Sequence, residues 1–185
     1  MNDETVALLF DVVERLQQSI GAHEHPAIVA LEGERRLVLS DHDYDYLRDP
    51  WSAAAFETRA AAEAADIRAT RWVFAVPLVW VTTPEAVYSR PASAHPLREG
   101  EQETITWTSY GENDGVDYGR VPYARRPSGE PVFDNPEKFA VGVRPAPSMP
   151  GQTLLRALLQ TTGPAWRDPV RPAGLICLTC GDARR

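Results

Sequence analysis

Apolar residues recur along this chain with two periods, one typical of α-helices and one typical of β-strands. The first helix is predicted between Asn2 or Asp3, either of which can cap it, and Gly21, which can end it. Its apolar face consists of positions three or four residues apart: Val6, Leu9, Phe10, Val13, Leu16 and Ile20. The chain is therefore expected to open with an amphipathic helix that packs on a core.

The longest apolar run, residues 71–83, predicts the central strand of a sheet. It is rich in β-branched and aromatic residues and lacks the polar alternation of a strand with one face in water. It is too short to cross a bilayer, which needs about 20 apolar residues. Pro77 interrupts the run, and because proline has no N–H to donate, we expect a bulge or kink there.

A hairpin is predicted before the central strand. Its strands are residues 27–31 and 36–39, and Gly33 opens a two-residue type II′ turn between them. Continued outward, that register brings His25 opposite His42. A second hairpin, residues 104–110 and 116–123, is predicted around a type I′ turn at Asp114-Gly115.

The other segments predict two more helices, one more strand and a tail. Asp49-Pro50 can open a helix that runs to about residue 67, and its apolar stripe against the sheet is Trp51, Ala54, Ala55, Ala62 and Ala65. Residues 84–100 are predicted to form a long loop. A further strand is indicated by the alternation of Phe139, Val141 and Val143, and a last short helix carries Leu154, Leu155, Leu158 and Leu159.

Helices that separate hairpins indicate an α+β fold with one mainly antiparallel sheet and helices packed on it. Residues 1–160 are expected to form a single domain, which suits a chain of this length. Residues 161–185 contain Pro164, Pro169 and Pro172, which interrupt any regular element, so we expect an extended or disordered C-terminal tail. Within it, residues 175–180 form a short apolar segment able to dock.

The formal net charge of −7, from 26 acidic and 19 basic residues, argues against nonspecific binding to nucleic acid or to an anionic membrane. Arginine supplies almost all of the basic residues, which suggests a GC-rich bacterial genome. The first residues are acidic where a secretory signal would be basic, so the cytoplasm is the expected compartment. Cysteines are expected to be reduced thiols there.

Histidine and aspartate residues cluster around the first hairpin. They precede one strand and follow the other, so the hairpin brings them to the same end of the sheet: His23, His25, Asp41, His42 and Asp43. This residue mixture suits Zn²⁺, Mn²⁺ or Fe²⁺, so the cluster is a candidate site for a divalent metal, although the expectation for the chain is that it has no cofactor. The alternative is that these are solvated loop residues, with the aspartates closing turns.

Two other groups of residues are candidates for a chemical or binding role. Cys177 and Cys180 form a C-x-x-C pair, typical of half a zinc site or of a redox pair, or they are two thiols of the tail without a role. Arginine and aromatic residues also occur together, as in interface hot spots: Trp107, Tyr118, Arg120, Tyr123, Arg125 and Arg126. The same residues suit an anion site or an ordinary arginine-bearing surface.

The sequence contains no G-x-S-x-G, phosphate loop, G-x-G-x-x-G or H-E-x-x-H motif, which lowers the odds of an enzyme. We therefore expect a cytoplasmic bacterial module without catalytic activity that binds another protein or regulates it. An inhibitor-like or chaperone-like protein is one sub-case, because acidic charge steers binding to a basic partner. The alternatives are a metal-dependent enzyme built on the His/Asp cluster and a thiol redox or zinc-binding tail.

Overall fold

The computed structural model describes residues 1–42, 45–83, 87–93, 95–139, 144–145, 149–161 and 177–180. The helices within these ranges are α1 (Asp3–Gly21), α2 (Asp45–Arg48), α3 (Pro50–Asp66) and α4 (Gln152–Thr161). The strands are β1 (Ala27–Glu32), β2 (Arg36–Asp41), β3 (Arg71–Thr82), β4 (Val87–Pro91), β5 (Glu101–Gly111), β6 (Gly115–Arg125), β7 (Pro131–Phe133), β8 (Glu137–Lys138), β9 (Arg144–Pro145) and β10 (Cys177–Cys180).

The predicted α+β class is confirmed: one curled and mainly antiparallel sheet carries the helices. β3 is its central strand, and its nine consecutive residues from Trp72 to Trp80 are buried, as expected for a strand covered on both faces. Alternate residues therefore enter two different cores. None of the described helices has the length and hydropathy to cross a membrane.

The two cores lie on opposite faces of the sheet. On one face, α1 packs through Leu8, Leu9, Val12 and Leu16 against a set that includes Val73, Ala75 and Trp107. On the other face, α3 and α4 pack against Trp72, Phe74 and Val76. α1 presents the predicted apolar face except for Phe10, which is 54% exposed because the buried stripe passes through Leu8 and Val12 instead.

β3 has two different partners along one edge. β1 pairs with residues 71–75 and β4 pairs with residues 78–82, while β5 runs along the whole opposite edge. Pro77 lies in the interval between β1 and β4. A proline cannot donate to a ladder, so the interruption falls where the predicted kink was expected and takes the form of a change of partner.

The register of the first hairpin differs from the prediction by one residue. Glu32 pairs with Arg36, which leaves a three-residue loop, and Ala27 pairs with Asp41. His25 and His42 are therefore not cross-strand neighbours. Gly33 is not in the left-handed region that a type II′ turn requires. It is needed for a different reason: a Cβ atom there would overlap the backbone at the end of α3, where Glu34 N donates to Ile67 O at 2.8 Å.

The second hairpin also has a three-residue loop, followed by Gly115 at φ 75°. Gly111 pairs with Gly115 and Trp107 pairs with Gly119, so the register is three residues from the predicted one. A type I turn followed by a left-handed glycine is the usual form of such a loop. Gly119 lies beneath the Trp107 ring and the Glu137 carbonyl, which leave no room for a side chain.

α3 buries a different face from the one predicted. Its buried residues are Phe56, Glu57, Ala60, Ala61 and Ala64, whereas Trp51, Ala55, Ala62 and Ala65 are exposed. The alanine-rich sequence offers small residues on every side, so the one large residue, Phe56, fixes the rotation by packing against Tyr46 and Phe74.

Four further predictions concern the residues after the central strand. The loop predicted over residues 84–100 is interrupted by β4, whose pairing with β3 was not foreseen. The strand predicted from Phe139 to Val143 lies largely outside the described residues. The predicted last helix is present as α4, with Leu154 and Leu155 buried. Of the predicted tail, only β10 is described beyond residue 161, and it pairs in parallel with β4 and β9.

Glu57 on α3 holds the N-terminus of α4. Its buried carboxylate accepts hydrogen bonds from the backbone N–H groups of Gly151, Thr153 and Leu154 at 2.7–3.0 Å and from the Tyr46 hydroxyl at 2.9 Å. Gly151, just before the helix, has no side chain with which to cap it. Burial raises the pKa of Glu57, although the four donors act in the opposite direction.

Gly119→Ala should lower the free energy of unfolding by about 2–3 kcal/mol, because the new methyl group must displace the Trp107 ring or the β8 backbone. Urea denaturation measures the loss. Gly21→Ala is the matched control, since a Cβ atom there meets nothing within 4 Å, and it should change stability by no more than about 1 kcal/mol in the favourable direction. Equal stabilities of the two variants would contradict the close approach of the Trp107 ring and the Glu137 carbonyl to Gly119.

Glu57→Ala should cost about 3 kcal/mol of unfolding free energy, because it leaves buried backbone N–H groups at α4 without an acceptor. Glu63→Ala, which removes the same charge from the same helix at a partly exposed position, should cost less than about 0.5 kcal/mol.

The pH dependence gives a second check on Glu57. Because its pKa is higher in the folded than in the unfolded chain, its contribution is fully present below the unfolded value and falls as the pH rises through the folded value. Glu57→Gln, which cannot titrate, should remove that part of the stability profile. An unchanged profile would show that the carboxylate is not buried as described.

Candidate functional site

A shallow pocket of about 370 Å³ opens where β1 and β4 meet end to end along β3. Two of its lining residues precede β1, two lie at the end of β4 and two belong to α2: His23, His25, Pro91, Ala92, Leu47 and Arg48. We refer to this depression as the edge pocket. Among the described residues, neither β1 nor β4 pairs with β3 at Pro77, so a gap lies between these two strands along this edge of β3.

His25 supplies the most distinctive atom of the edge pocket. Its Nε2 is shielded from solvent and has no hydrogen-bond partner among the residues that the structure describes. Burial lowers the pKa of His25, and the nearby Arg125 guanidinium lowers it further, while Glu103 acts in the opposite direction. The imidazole is therefore neutral at pH 7.

A buried ion pair between β5 and β6 interacts electrostatically with His25. Glu103 on β5 is only 6% exposed, and its two oxygens accept from Nε and Nη2 of Arg125 on β6 at 2.9 and 3.0 Å. The Tyr123 hydroxyl donates to the same carboxylate at 3.3 Å. A paired and hydrogen-bonded carboxylate of this kind is held in one orientation.

A second two-pronged pair joins β4 and β5, which lie on opposite sides of β3. Arg90 on β4 donates from Nε and Nη2 to Glu101 on β5 at 2.9 and 2.6 Å, and Arg98 N donates to the same carboxylate at 2.8 Å. The hydrogen bonds from Arg90 lower the pKa of Glu101 to about 2. This pair fixes the end of β4, which carries Pro91 and Ala92 of the edge pocket.

Trp51 stands in the first turn of α3 with 86% of its surface exposed. Asp49 caps this helix by accepting from Ser52 N at 2.8 Å, and Arg48 donates to the Ser52 hydroxyl at 3.1 Å. Arg48 thus connects the edge pocket to the turn that carries Trp51. Trp51 follows Arg48 of the pocket lining by three residues.

The described residues of the predicted metal cluster have different contacts. His23 and His25 line the edge pocket, whereas the His42 Nε2 is 2.7 Å from the Ser40 hydroxyl oxygen. The buried Asp41 carboxylate accepts from Tyr46 N. Asp43 lies outside the described residues. Within the described ranges no three His, Cys, Asp or Glu side chains are grouped to hold a metal ion, and metal binding stays a prediction.

The predicted thiol pair lies in β10. Cys177 pairs with Arg144 of β9, and Cys180 pairs with Ser89 of β4. The extended backbone differs from the helix start at which thioredoxin-like pairs occur. A redox or zinc-binding role for the pair stays a prediction.

The aromatic residues of the predicted interface are mainly part of the core. Trp107 is 1% exposed and packs beside α1, and Tyr123 is 2% exposed with its ring 5.0 Å from that of Phe133. Tyr118 is partly buried, and Gln152 of α4 donates to its hydroxyl at 3.2 Å. Burial raises the pKa of Tyr118 and of Tyr123.

Each arginine of the predicted interface has a carboxylate partner. Arg120 pairs with Glu137 at 2.9 Å and lies over the Trp80 ring, Arg125 pairs with Glu103, and Arg126 pairs with Glu130 at 2.6 Å. An anion would have to compete with these carboxylates, so the arrangement gives no support to an anion site there.

Several residues of the site were not foreseen from the sequence: Leu47, Arg48, Trp51, Pro91, Ala92, Glu101 and Glu103. Trp51 was expected to pack on the sheet. The one signal that pointed to this place is Pro77, since a proline within an apolar strand marks a break in pairing.

Comparisons with protein-family models, with curated proteins and with solved structures gave no significant match to this chain.

Arg125→Gln should lower the free energy of unfolding by about 3 kcal/mol, because it leaves the Glu103 carboxylate buried without its cation. The neighbouring Arg126→Gln is the matched control. Its ion pair with Glu130 is more than half exposed on both sides, so the change should cost less than about 0.5 kcal/mol. Urea denaturation of both variants checks the difference, and similar losses would show that Glu103 is solvated.

Proposed function

We propose that this chain is a protein-binding module without catalytic activity, and that the edge pocket together with Trp51 is its contact surface. The observation that carries the proposal is the 86% exposed indole of Trp51, three residues after Arg48 of the pocket lining. A tryptophan as exposed as this one contributes little to the stability of the fold. Tryptophan and arginine are among the residues most enriched in interface hot spots.

The construction of the surface supports the proposal. One of its walls is the end of β4, which the Arg90–Glu101 pair holds to β5 across β3. Little conformational entropy is then lost when a partner binds, which favours affinity. The pocket is at the small end of the range for ligand sites, a size that suits one inserted side chain or chain end.

The net charge of −7 supports a partner that is basic overall, because long-range attraction raises the rate of encounter. An inhibitor-like or chaperone-like protein of the bacterial cytoplasm fits this proposal. The metal-dependent enzyme and the thiol-based tail have no comparable support from the described residues.

Trp51→Ala should leave the melting temperature within about 2 °C of the wild type and weaken partner binding at least about 30-fold. The partner is first captured from the native host with the tagged full chain, then purified, and its Kd is measured by calorimetry. Phe10→Ala is the control, because Phe10 is 54% exposed on α1, over the other face of the sheet.

The control should bind the partner as tightly as the wild type. If Trp51→Ala also binds with unchanged affinity, the surface around the edge pocket is not the binding site. If the two variants weaken binding equally, the interface lies elsewhere or spans both faces, and the assignment to the edge pocket is wrong.

A further inference from the structure

We infer that β2 pairs with β2 of a second copy of this chain, so that two sheets join edge to edge in a two-fold symmetric dimer. Among the described residues, β2 pairs with β1 on one side and with no strand on the other. The free side of an edge strand carries N–H and C=O groups that can receive another strand. The inference concerns a surface other than the edge pocket and does not rest on the proposed function.

β2 lacks the features by which edge strands avoid association. It contains no proline, glycine or lysine, its charges lie only at its two ends, and its six pairs with β1 are continuous, without a bulge. Its central residues, 37–40, are half-buried. The other edge strands among the described residues, β7, β8 and β9, have only two or three residues each. β2 is therefore the edge best suited to accept a strand.

The sequence of β2 is close to a palindrome, and this property favours a second copy as the occupant. Two identical antiparallel strands related by a two-fold axis pair about a residue that faces its own copy. With Val38 at the axis, Leu37 of one copy faces Leu39 of the other, and Arg36 faces Ser40. Like residues meet at the apolar positions, and no like charges meet at the ends.

The side chains of β2 belong to both cores. Val38 packs against the core beneath α1, whereas Leu37 and Leu39 pack against the core on the opposite face. In the register centred on Val38, each of them meets an apolar side chain of the second copy on its own face, so both cores continue across the join. A register centred on Leu39 would instead place Leu37 opposite the buried Asp41.

The charges near this edge set the direction of a salt effect. Arg36 donates to Asp11 at 2.8 Å, and Arg15 donates to the same carboxylate at 3.0 Å, so the group formed by these three side chains is positive overall. The whole chain carries a net charge of −7, and two copies therefore repel each other at long range. Because salt screens that repulsion, dimerisation should become tighter as the salt concentration rises.

The first experiment uses the unmodified full chain. A single pair of short strands is a small interface and forms a weak dimer, so sedimentation equilibrium is measured from about 10 μM to about 1 mM protein. A reversible monomer–dimer equilibrium is expected. Amide hydrogen exchange, followed by NMR at both ends of this range, should slow with rising concentration at alternate residues of β2. The amides between them already face β1 and should not respond.

The second experiment tests the register through a reversal of charge. Ser40→Lys places a lysine opposite Arg36 of the other copy at two places in each dimer, and it should weaken dimerisation about fivefold. Ser40→Glu places a carboxylate there and should tighten dimerisation by about the same factor. Since Ser40 is a half-buried edge residue, both variants should keep the fold, which melting curves check.

Ser128→Lys and Ser128→Glu are the matched controls. Ser128 is exposed in the turn between β6 and β7, and β5, β3 and β1 lie between that edge of the sheet and β2. These variants change only the overall charge, so the lysine should tighten dimerisation slightly and the glutamate should weaken it slightly. This order is the reverse of the one expected at Ser40.

A chain that stays monomeric up to about 1 mM would overturn the inference. So would a dimer in which the exchange of the β2 amides does not slow, or a dilute monomer in which all of them are already protected, because another segment of the chain then covers this edge. The same order of affinities at Ser40 and Ser128 would also overturn it. The effect of Trp51→Ala on partner binding is measured separately, so the proposed function can fail or hold independently of this result.

Discussion

The absence of one N–H group, at Pro77, determines how this molecule is arranged. β3 is buried on both faces and must satisfy its backbone through neighbouring strands, yet on one edge the ladder is broken between residues 75 and 78. The first residues of β1 lie on one side of the break, and the last residue of β4 lies on the other. The edge pocket lies in that gap, and the Arg90–Glu101 pair holds the end of β4 beside it.

Element types could be predicted from the sequence where the hydrophobic period was strong, as in α1 and β3. Registers could not, because each hairpin contains a glycine whose role is tertiary. Gly33 makes room for the backbone at the end of α3, and Gly119 makes room for the Trp107 ring. A rule based on the residues of the turn alone includes neither of these contacts. The face of α3 that is buried was not predicted for a similar reason. Alanines occur on every side of the helix, so the packing of Phe56 determines which face is buried.

The site was predictable only in part. His23 and His25 were expected to have a chemical role, and both line the edge pocket. Their neighbours come from α2 and β4, which are distant in sequence or were not predicted as elements. Composition also could not show that Arg120, Arg125 and Arg126 each face a carboxylate, because each partner was placed there by strand pairing or by a turn.

The contact between Glu57 and α4 has a consequence for the order in which the chain folds. The acceptor for the N–H groups of α4 is on α3, 94 residues before Gly151, so α4 has no cap until α3 is in place. An isolated helix of this length is marginal in water. During synthesis the carboxylate leaves the ribosome well before the segment that needs it. The docking of α4 therefore requires α3 to be in place first.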